Sequence, residues 1–122
     1  MTNDWPEFVK TLNADIRNLR VGTADVMKAF GAMATSAGAS GALDAKTKEL
    51  IALAVSVAIR CDDCIAFHAK AAASRGATRE EVMETLGMAI YMGAGPSVMY
   101  ASHALAAFTQ FDAEKTAQPA AD

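Results

Sequence analysis

The chain has 122 residues, enough for one domain and too few for two, and a net charge of −3 at neutral pH. Apolar residues make up 52% of it, 28 residues are alanine and only 7% are aromatic. The low charged fraction excludes a disordered chain, and the shortage of aromatic and β-branched residues argues against an all-β fold. We therefore predict a single all-α domain over residues 1–111, followed by a frayed polar tail at residues 112–122.

Charge and hydropathy patterns also limit the kinds of binding partner and the cellular compartment that are expected for the protein. The eleven Lys and Arg residues are scattered, so no nucleic-acid partner is predicted. The N-terminus lacks the basic and apolar regions of a secretory signal, which predicts a cytoplasmic protein. Residues 85–111 carry no formal charge and could be read as a membrane span. We predict two buried helices and no membrane instead, because residues 93–96 divide this stretch and no basic cluster flanks it.

Capping residues and apolar spacing predict three helices in the first half of the chain. Asp4 begins the first helix, and the second begins after Gly22. A loop of small residues at 36–41 separates the second helix from the third. Asp44 is the predicted N-cap of this third helix, which covers about residues 45–59.

Three further helices are predicted in the second half, about six in all. The fourth begins at Cys61 and runs to about Ser74. Arg75 and Gly76 stop it, because glycine readily adopts the left-handed conformation that closes a helix. A capping box at residues 78–81 begins the fifth helix. Gly93 ends the fifth, and residues 95–97 begin a sixth that runs to the end of the predicted domain.

The third helix is apolar on every side. Residues 50–59 include no charged side chain before the arginine that follows them. A helix of this kind is buried all round, and a small Ala-rich domain has too thin a core to surround it. We therefore expect other copies of the chain to complete its burial, so that the protein is an oligomer.

Two cysteines and a histidine are the candidates for reactive chemistry. Cys61, Cys64 and His68 lie at i, i+3 and i+7, on one face of a helix whose N-terminus favours a thiolate. A thiolate nucleophile needs a base and a second thiol that resolves its oxidised product, and this spacing supplies both. Asp62 and Asp63 oppose thiolate formation by their charge, and geometry decides which effect is larger.

Other interpretations of these residues need weighing. A C-x-x-C pair can arise by chance. A structural zinc site needs four ligands, and the chain offers Cys61, Cys64, His68 and His103 at a spacing unlike that of a zinc finger. Taken alone, Glu49 is a solvated first-turn residue and His103 is a core or interface histidine. We therefore expect no metal.

Four motifs follow one another along the chain. They are K-E-L-I at 48–51, C-x-x-C-x-x-x-H at 61–68, G-A-T-x-E-E at 76–81 and Y-M-G-A-G-P at 91–96. In this combination the chain resembles the carboxymuconolactone decarboxylase family, and within it the alkylhydroperoxidase AhpD-like branch. The likeness covers about residues 30–108.

The resemblance implies an all-α fold assembled as homotrimers or homohexamers, and a cysteine pair that cycles between dithiol and disulfide while it reduces hydroperoxides. Cys64 would attack the peroxide, Cys61 would resolve the product, and Glu49 with His68 would form the proton relay. The implied reductant is a dithiol, which in some members is a lipoyl-bearing protein, and no cofactor is required. One departure is Asp63, which stands where some members have a histidine.

The predicted function is therefore that of a thiol-dependent peroxidase. One alternative is a redox-sensing or general thiol–disulfide exchange protein that uses the same cysteines without efficient peroxide turnover. Another is a non-catalytic oligomeric module with inert cysteines. Decarboxylase activity ranks lower, because the decarboxylase branch lacks the cysteine pair and acts on a lactone acid.

Overall fold

The computed structural model describes residues 4–117, and this part of the chain contains helices and no strand. The five helices are α1 (Trp5–Gly22), α2 (Ala24–Gly38), α3 (Ala45–Ala58), α4 (Asp62–Ser74) and α5 (Arg79–Ala117). The predicted all-α fold is confirmed. Within the described residues, no helix has an apolar stretch long enough to cross a membrane.

The predicted starts of α1, α3 and α5 are confirmed by side-chain caps. Asp4 and Asp44 each accept a hydrogen bond from the backbone N–H three residues on, at 3.0 and 2.7 Å. In the capping box, the Glu81 N–H donates to the Thr78 hydroxyl at 3.1 Å, and the Thr78 N–H donates to the Glu81 carboxylate at 2.8 Å. These bonds satisfy N–H groups that have no partner within a helix, and each cap stabilises the fold by about 1 kcal/mol.

An ion pair joins the beginnings of α3 and α5. The Lys46 ammonium lies 2.8 Å from the Glu81 carboxylate. This contact holds the pKa of Glu81 below its ordinary value and raises the pKa of Lys46. Because both groups face solvent, water screens the pair and its effect on stability is small.

The predicted fifth and sixth helices form one element, α5, that is broken at a single residue. Ala94 has φ 53° and ψ −138°, which are not helical. Pro96 favours a break here because it has no N–H to donate to the preceding turn. A Cβ on Gly93 would overlap the Ser97 side chain, so the chain needs glycine at that position. The predicted boundary is in the right place, although no loop separates the two halves.

The predicted start of the tail is corrected by the structure. α5 continues past Phe111 to Ala117, so residues 112–117 are helical and not frayed. The Lys115 ammonium donates a hydrogen bond to the Ala73 carbonyl at 2.9 Å, which ties the last turns of α5 to the end of α4. Residues 118–122 of the predicted tail lie outside the described residues.

The core lies where α3, α4 and α5 pack on one another, and α1 packs against α4 and α5. Nine of the eighteen buried apolar side chains among the described residues are alanine. Alanine lets helices approach closely but removes little area from water, so the thin core predicted from composition is confirmed. The largest fully buried side chains are Leu53, Val57, Ile65, Val82 and Phe108.

Helix α2 is the least attached part of the fold. None of its side chains is buried, and it contacts only α1 and α3. Its C-terminal end is held by Lys48, whose ammonium donates to the carbonyls of Ala37 and Ala39 at 2.9 and 2.5 Å. A cation at this position also interacts favourably with the negative end of the helix dipole.

Apolar surface remains exposed on α2, α3 and α5. The α3 stripe consists of Ile51, Val55 and Ile59, which are 49%, 50% and 62% exposed. A single chain therefore does not bury α3 on every side. The two helices predicted to be buried within residues 85–111 are likewise buried on one face only. Exposed apolar side chains elsewhere include Val26, Phe30, Met33, Met88, Tyr91, Met92 and Met99.

We expect Gly93→Ala to destabilise the protein by about 1–3 kcal/mol, because the new Cβ forces the buried Ser97 side chain out of its place. Chemical denaturation measures the change. Gly87→Ala is the matched control in the same helix, since a Cβ there meets no atom within 4 Å. The control should be as stable as the parent or slightly more stable. Equal stability of Gly93→Ala and the parent would contradict the need for glycine.

Candidate functional site

The turn between α3 and α4 places Cys61 at the beginning of α4. The Arg60 N–H donates to the Val57 carbonyl at 3.1 Å, and the Cys61 N–H donates to the Ser56 carbonyl at 3.0 Å. These are the two bonds of a Schellman motif. Arg60, at φ 60°, takes the left-handed position that Gly76 occupies at the end of α4. The end of α3 is therefore bonded directly to the cysteine motif.

Cys61 and Cys64 are joined by a disulfide bond, with their Cα atoms 5.2 Å apart. Cys61 is the N-cap of α4, and its sulfur accepts a hydrogen bond from the Cys64 backbone N–H at 3.1 Å. The N–H group and the positive end of the helix dipole favour negative charge on this sulfur when the pair is reduced. The predicted place of Cys61 at the helix N-terminus is confirmed. As the N-cap it precedes the first helical residue, whereas the spacing predicted that it lies on the helical face.

His68 lies on α4 one turn after Cys64 and contacts Glu49 on α3. Its Nδ1–H donates to the Glu49 carboxylate at 2.7 Å. Because an ionised carboxylate only accepts hydrogen bonds, Nδ1 carries the hydrogen and Nε2 is the nitrogen that can take up a proton. The His68 and Glu49 side chains are 38% and 22% exposed, so small molecules can approach them. The four predicted site residues thus form two pairs, a disulfide and a hydrogen-bonded histidine and carboxylate. Helix α4 connects the pairs, because it carries both Cys64 and His68.

A second histidine–carboxylate pair contacts the cysteine motif, and the sequence did not predict it. The His103 Nδ1–H donates to the Asp62 carboxylate at 2.7 Å. The His103 ring lies against two aromatic rings, with centroid distances of 5.1 Å to Tyr100 and 6.2 Å to Trp5. His103 is 41 residues away from Asp62, and no local pattern connects two positions so far apart. The predicted core or interface histidine is therefore a neighbour of the candidate site.

A surface pocket of about 390 Å³ opens beside Glu49. Its wall combines the Phe67 ring with the cationic side chains of Lys70 and Arg75. The pocket gives solvent a route to the Glu49 carboxylate. Within residues 4–117, no three His, Cys, Asp or Glu side chains are grouped so that they could hold a metal ion.

The sequence of the chain is similar to a known family and to proteins of several bacteria. The profile of the carboxymuconolactone decarboxylase family matches residues 24–107. An uncharacterised protein of Cupriavidus necator is 41% identical over 113 residues, which covers 93% of this chain and all of that protein. An uncharacterised protein of the cox locus of Paracoccus denitrificans is 42% identical over 89 residues, which covers 73% of this chain and 80% of that one.

Two solved structures share the fold. A carboxymuconolactone decarboxylase family protein of Legionella pneumophila, in its apo form, has a TM-score of 0.87 and 45% identity, with 91% of this chain and 99% of that chain covered. A family protein of Thermotoga maritima, described as a candidate participant in an antioxidative response, has a TM-score of 0.78 and 29% identity. This second similarity covers 90% of this chain and 93% of that chain.

We expect Arg60→Gly to stabilise the protein by about 0.5–1 kcal/mol, because glycine adopts the left-handed conformation without the steric cost that arginine meets. Thermal or chemical denaturation measures the gain. Arg75→Gly is the control at the end of α4, where φ is −84° and glycine relieves nothing. We expect this control to be less stable than the parent. If Arg60→Gly also lost stability, the turn would not be strained.

Proposed function

The chain belongs to the carboxymuconolactone decarboxylase family, and we propose that it is an AhpD-like peroxidase that reduces hydroperoxides through Cys61 and Cys64. The observation that carries the proposal is the disulfide at the start of α4, with the bonded His68–Glu49 pair one helical turn from Cys64. The description of the Thermotoga maritima protein, which shares the fold, agrees with an antioxidant role.

In the first half-reaction, the Cys64 thiolate attacks one oxygen of the hydroperoxide and the O–O bond breaks. Cys64 becomes a sulfenic acid, and the leaving oxygen takes up a proton to give an alcohol, or water when the substrate is hydrogen peroxide. His68 accepts the thiol proton at Nε2 and returns it to the leaving oxygen. Glu49 orients the ring through Nδ1–H and stabilises its charged form.

In the second half-reaction, Cys61 attacks the sulfenic sulfur, a disulfide forms and water leaves. The hydrogen bond that the Cys64 backbone N–H donates to the Cys61 sulfur favours a thiolate at Cys61. A dithiol reductant, of which a lipoyl-bearing protein is one example, then restores both thiols and becomes a disulfide itself. Reduction of one hydroperoxide therefore consumes two thiols of the donor. The protein returns to its dithiol form at the end of the cycle.

The same cysteine pair would also serve general thiol–disulfide exchange or redox sensing, so turnover with peroxide distinguishes the functions. We prefer the peroxidase because peroxide reduction needs, besides the base that forms the thiolate, an acid that protonates the leaving oxygen, and the His68–Glu49 pair can serve as both. Decarboxylation of a lactone acid would give no role to the disulfide. We place the reaction in the cytoplasm, where a C-x-x-C disulfide is typically catalytic.

We expect Cys64→Ser to abolish peroxide consumption. Without a donor, Cys61→Ser should consume a single equivalent and keep Cys64 as a sulfenic acid, because no second thiol of the chain can resolve it. Glu49→Gln should keep the cycle but lower its rate by about tenfold to a hundredfold, since the base loses its orienting carboxylate. The measurement is peroxide loss with and without a lipoyl or dithiol donor, together with mass spectrometry of the thiols.

Two controls accompany these variants. The parent without donor should consume one equivalent and form an intramolecular disulfide. Asp63→Asn, an exposed change next to Cys64, should turn over at nearly the parent rate. Peroxide consumption by Cys64→Ser at the parent rate would refute the proposal. If Cys61→Ser alone failed to consume the first equivalent of peroxide, the roles of the two cysteines would be reversed.

We further propose that identical copies associate as a trimer or hexamer through the exposed apolar surface, which includes the α3 stripe. Val55→Glu should shift sedimentation toward smaller species, because the carboxylate would have to be buried at the interface. Asn18→Glu, an exposed change of the same charge on α1, is the control and should leave the mass unchanged. A monomeric parent at micromolar concentration would contradict the proposed assembly.

A further inference from the structure

Asp62 stands between the two cysteines in the sequence and lies in the first turn of α4. A carboxylate near a thiol disfavours the thiolate and so opposes the helix dipole. The Asp62 side chain is 27% exposed, so water screens its charge only in part. Asp63, the second acid of the motif, is exposed and better screened. A stable thiolate therefore depends more on a hydrogen-bond donor to the Asp62 carboxylate than on one to Asp63.

His103 supplies this compensation through its Nδ1–H, which lies 2.7 Å from the Asp62 carboxylate. The ring is 19% exposed and contacts the rings of Trp5 and Tyr100. Trp5 is 2% exposed, and its backbone N–H donates to the Gln110 side chain at 2.7 Å. The donor belongs to α5 and is thus held against Trp5 of α1, so that it fixes the carboxylate in one place.

We propose that His103 is a positioning residue for the cysteine pair and that it acts through Asp62. By bonding the carboxylate, it weakens the effect of Asp62 on the sulfur atoms and lets the helix N-terminus stabilise a thiolate. This inference rests on the redox cycle of the proposed function, but it assigns different residues and a different task. His68 moves protons, whereas His103 stabilises the reduced form of the pair.

The consequence is a shift in the dithiol–disulfide equilibrium. A disulfide whose reduced form is stabilised is a stronger oxidant and is more readily reduced by an external dithiol. Loss of the His103 donor leaves the Asp62 carboxylate unpaired beside the thiols, so the dithiol form becomes less favourable. When the Asp62 carboxylate is removed together with the His103 donor, no charge remains to disfavour the thiols. The dithiol form should then no longer be less favourable for want of the donor.

The experiment equilibrates the full chain with mixtures of reduced and oxidised lipoic acid at neutral pH and measures the dithiol fraction by alkylation. His103→Phe keeps a ring against Trp5 and Tyr100 but removes the donor. We expect it to lower the reduction equilibrium constant by about threefold to tenfold. His103→Gln, which restores an N–H donor, should recover most of the loss. His103→Leu serves as the donor-free variant where His103→Phe does not fold.

The double variant Asp62→Asn, His103→Phe decides the mechanism. We expect its equilibrium constant to match that of Asp62→Asn alone within about twofold. A double variant that keeps the full deficit of His103→Phe would overturn the inference, since ring packing and not the carboxylate would then be the cause. Equality of the donor-free variant and the parent would overturn it as well. Asp63→Asn, the matched control, should change the constant less than His103→Phe does.

The same measurements separate this inference from the proposed function. A parent that equilibrates reversibly with lipoic acid but consumes no peroxide would refute the peroxidase and leave the role of His103 to be decided by the double variant. A parent that consumes peroxide while the His103 variants keep its equilibrium constant would support the peroxidase and refute the role of His103.

Discussion

The geometry of the site depends on the two bonds that Cys61 makes at the junction of α3 and α4. Its N–H closes the end of α3 by donating to the Ser56 carbonyl, and its sulfur closes the beginning of α4 by accepting the Cys64 N–H. One residue therefore ends one helix and begins the next. Because Glu49 lies on α3 and His68 on α4, this junction also fixes the relation between the two partners of the proposed proton relay.

Local patterns predicted most of the helix boundaries, because capping residues act on their immediate neighbours. Asp4, Asp44, Gly76 and the capping box at residues 78–81 all take the predicted roles. The same patterns could not show that α5 reaches residue 117, because that depends on a contact between distant helices. The left-handed Arg60 was also missed, since nothing about arginine predicts that conformation.

The candidate site was predictable to the extent that family motifs carry it. Glu49 and His68 were expected to act together by resemblance, and the structure places them in contact. Asp62 and His103 were considered only separately, one as a charge at a helix start and the other as a core or interface histidine. Their pairing arises from the packing of α5 beside the start of α4, which no spacing along the chain encodes.

Helix α2 has a consequence for the dynamics of the chain. In a single chain α2 buries no side chain and Lys48 holds its end by hydrogen bonds, so it can detach while the packing of α3, α4 and α5 stays intact. Its opening would release Lys48, the residue that precedes Glu49, from the carbonyls it holds. An opening event that costs little apolar burial in a single chain would therefore reach the immediate neighbour of the proposed relay carboxylate. In a single chain, the attachment of α2 and the position of the candidate site are thus linked through two neighbouring residues.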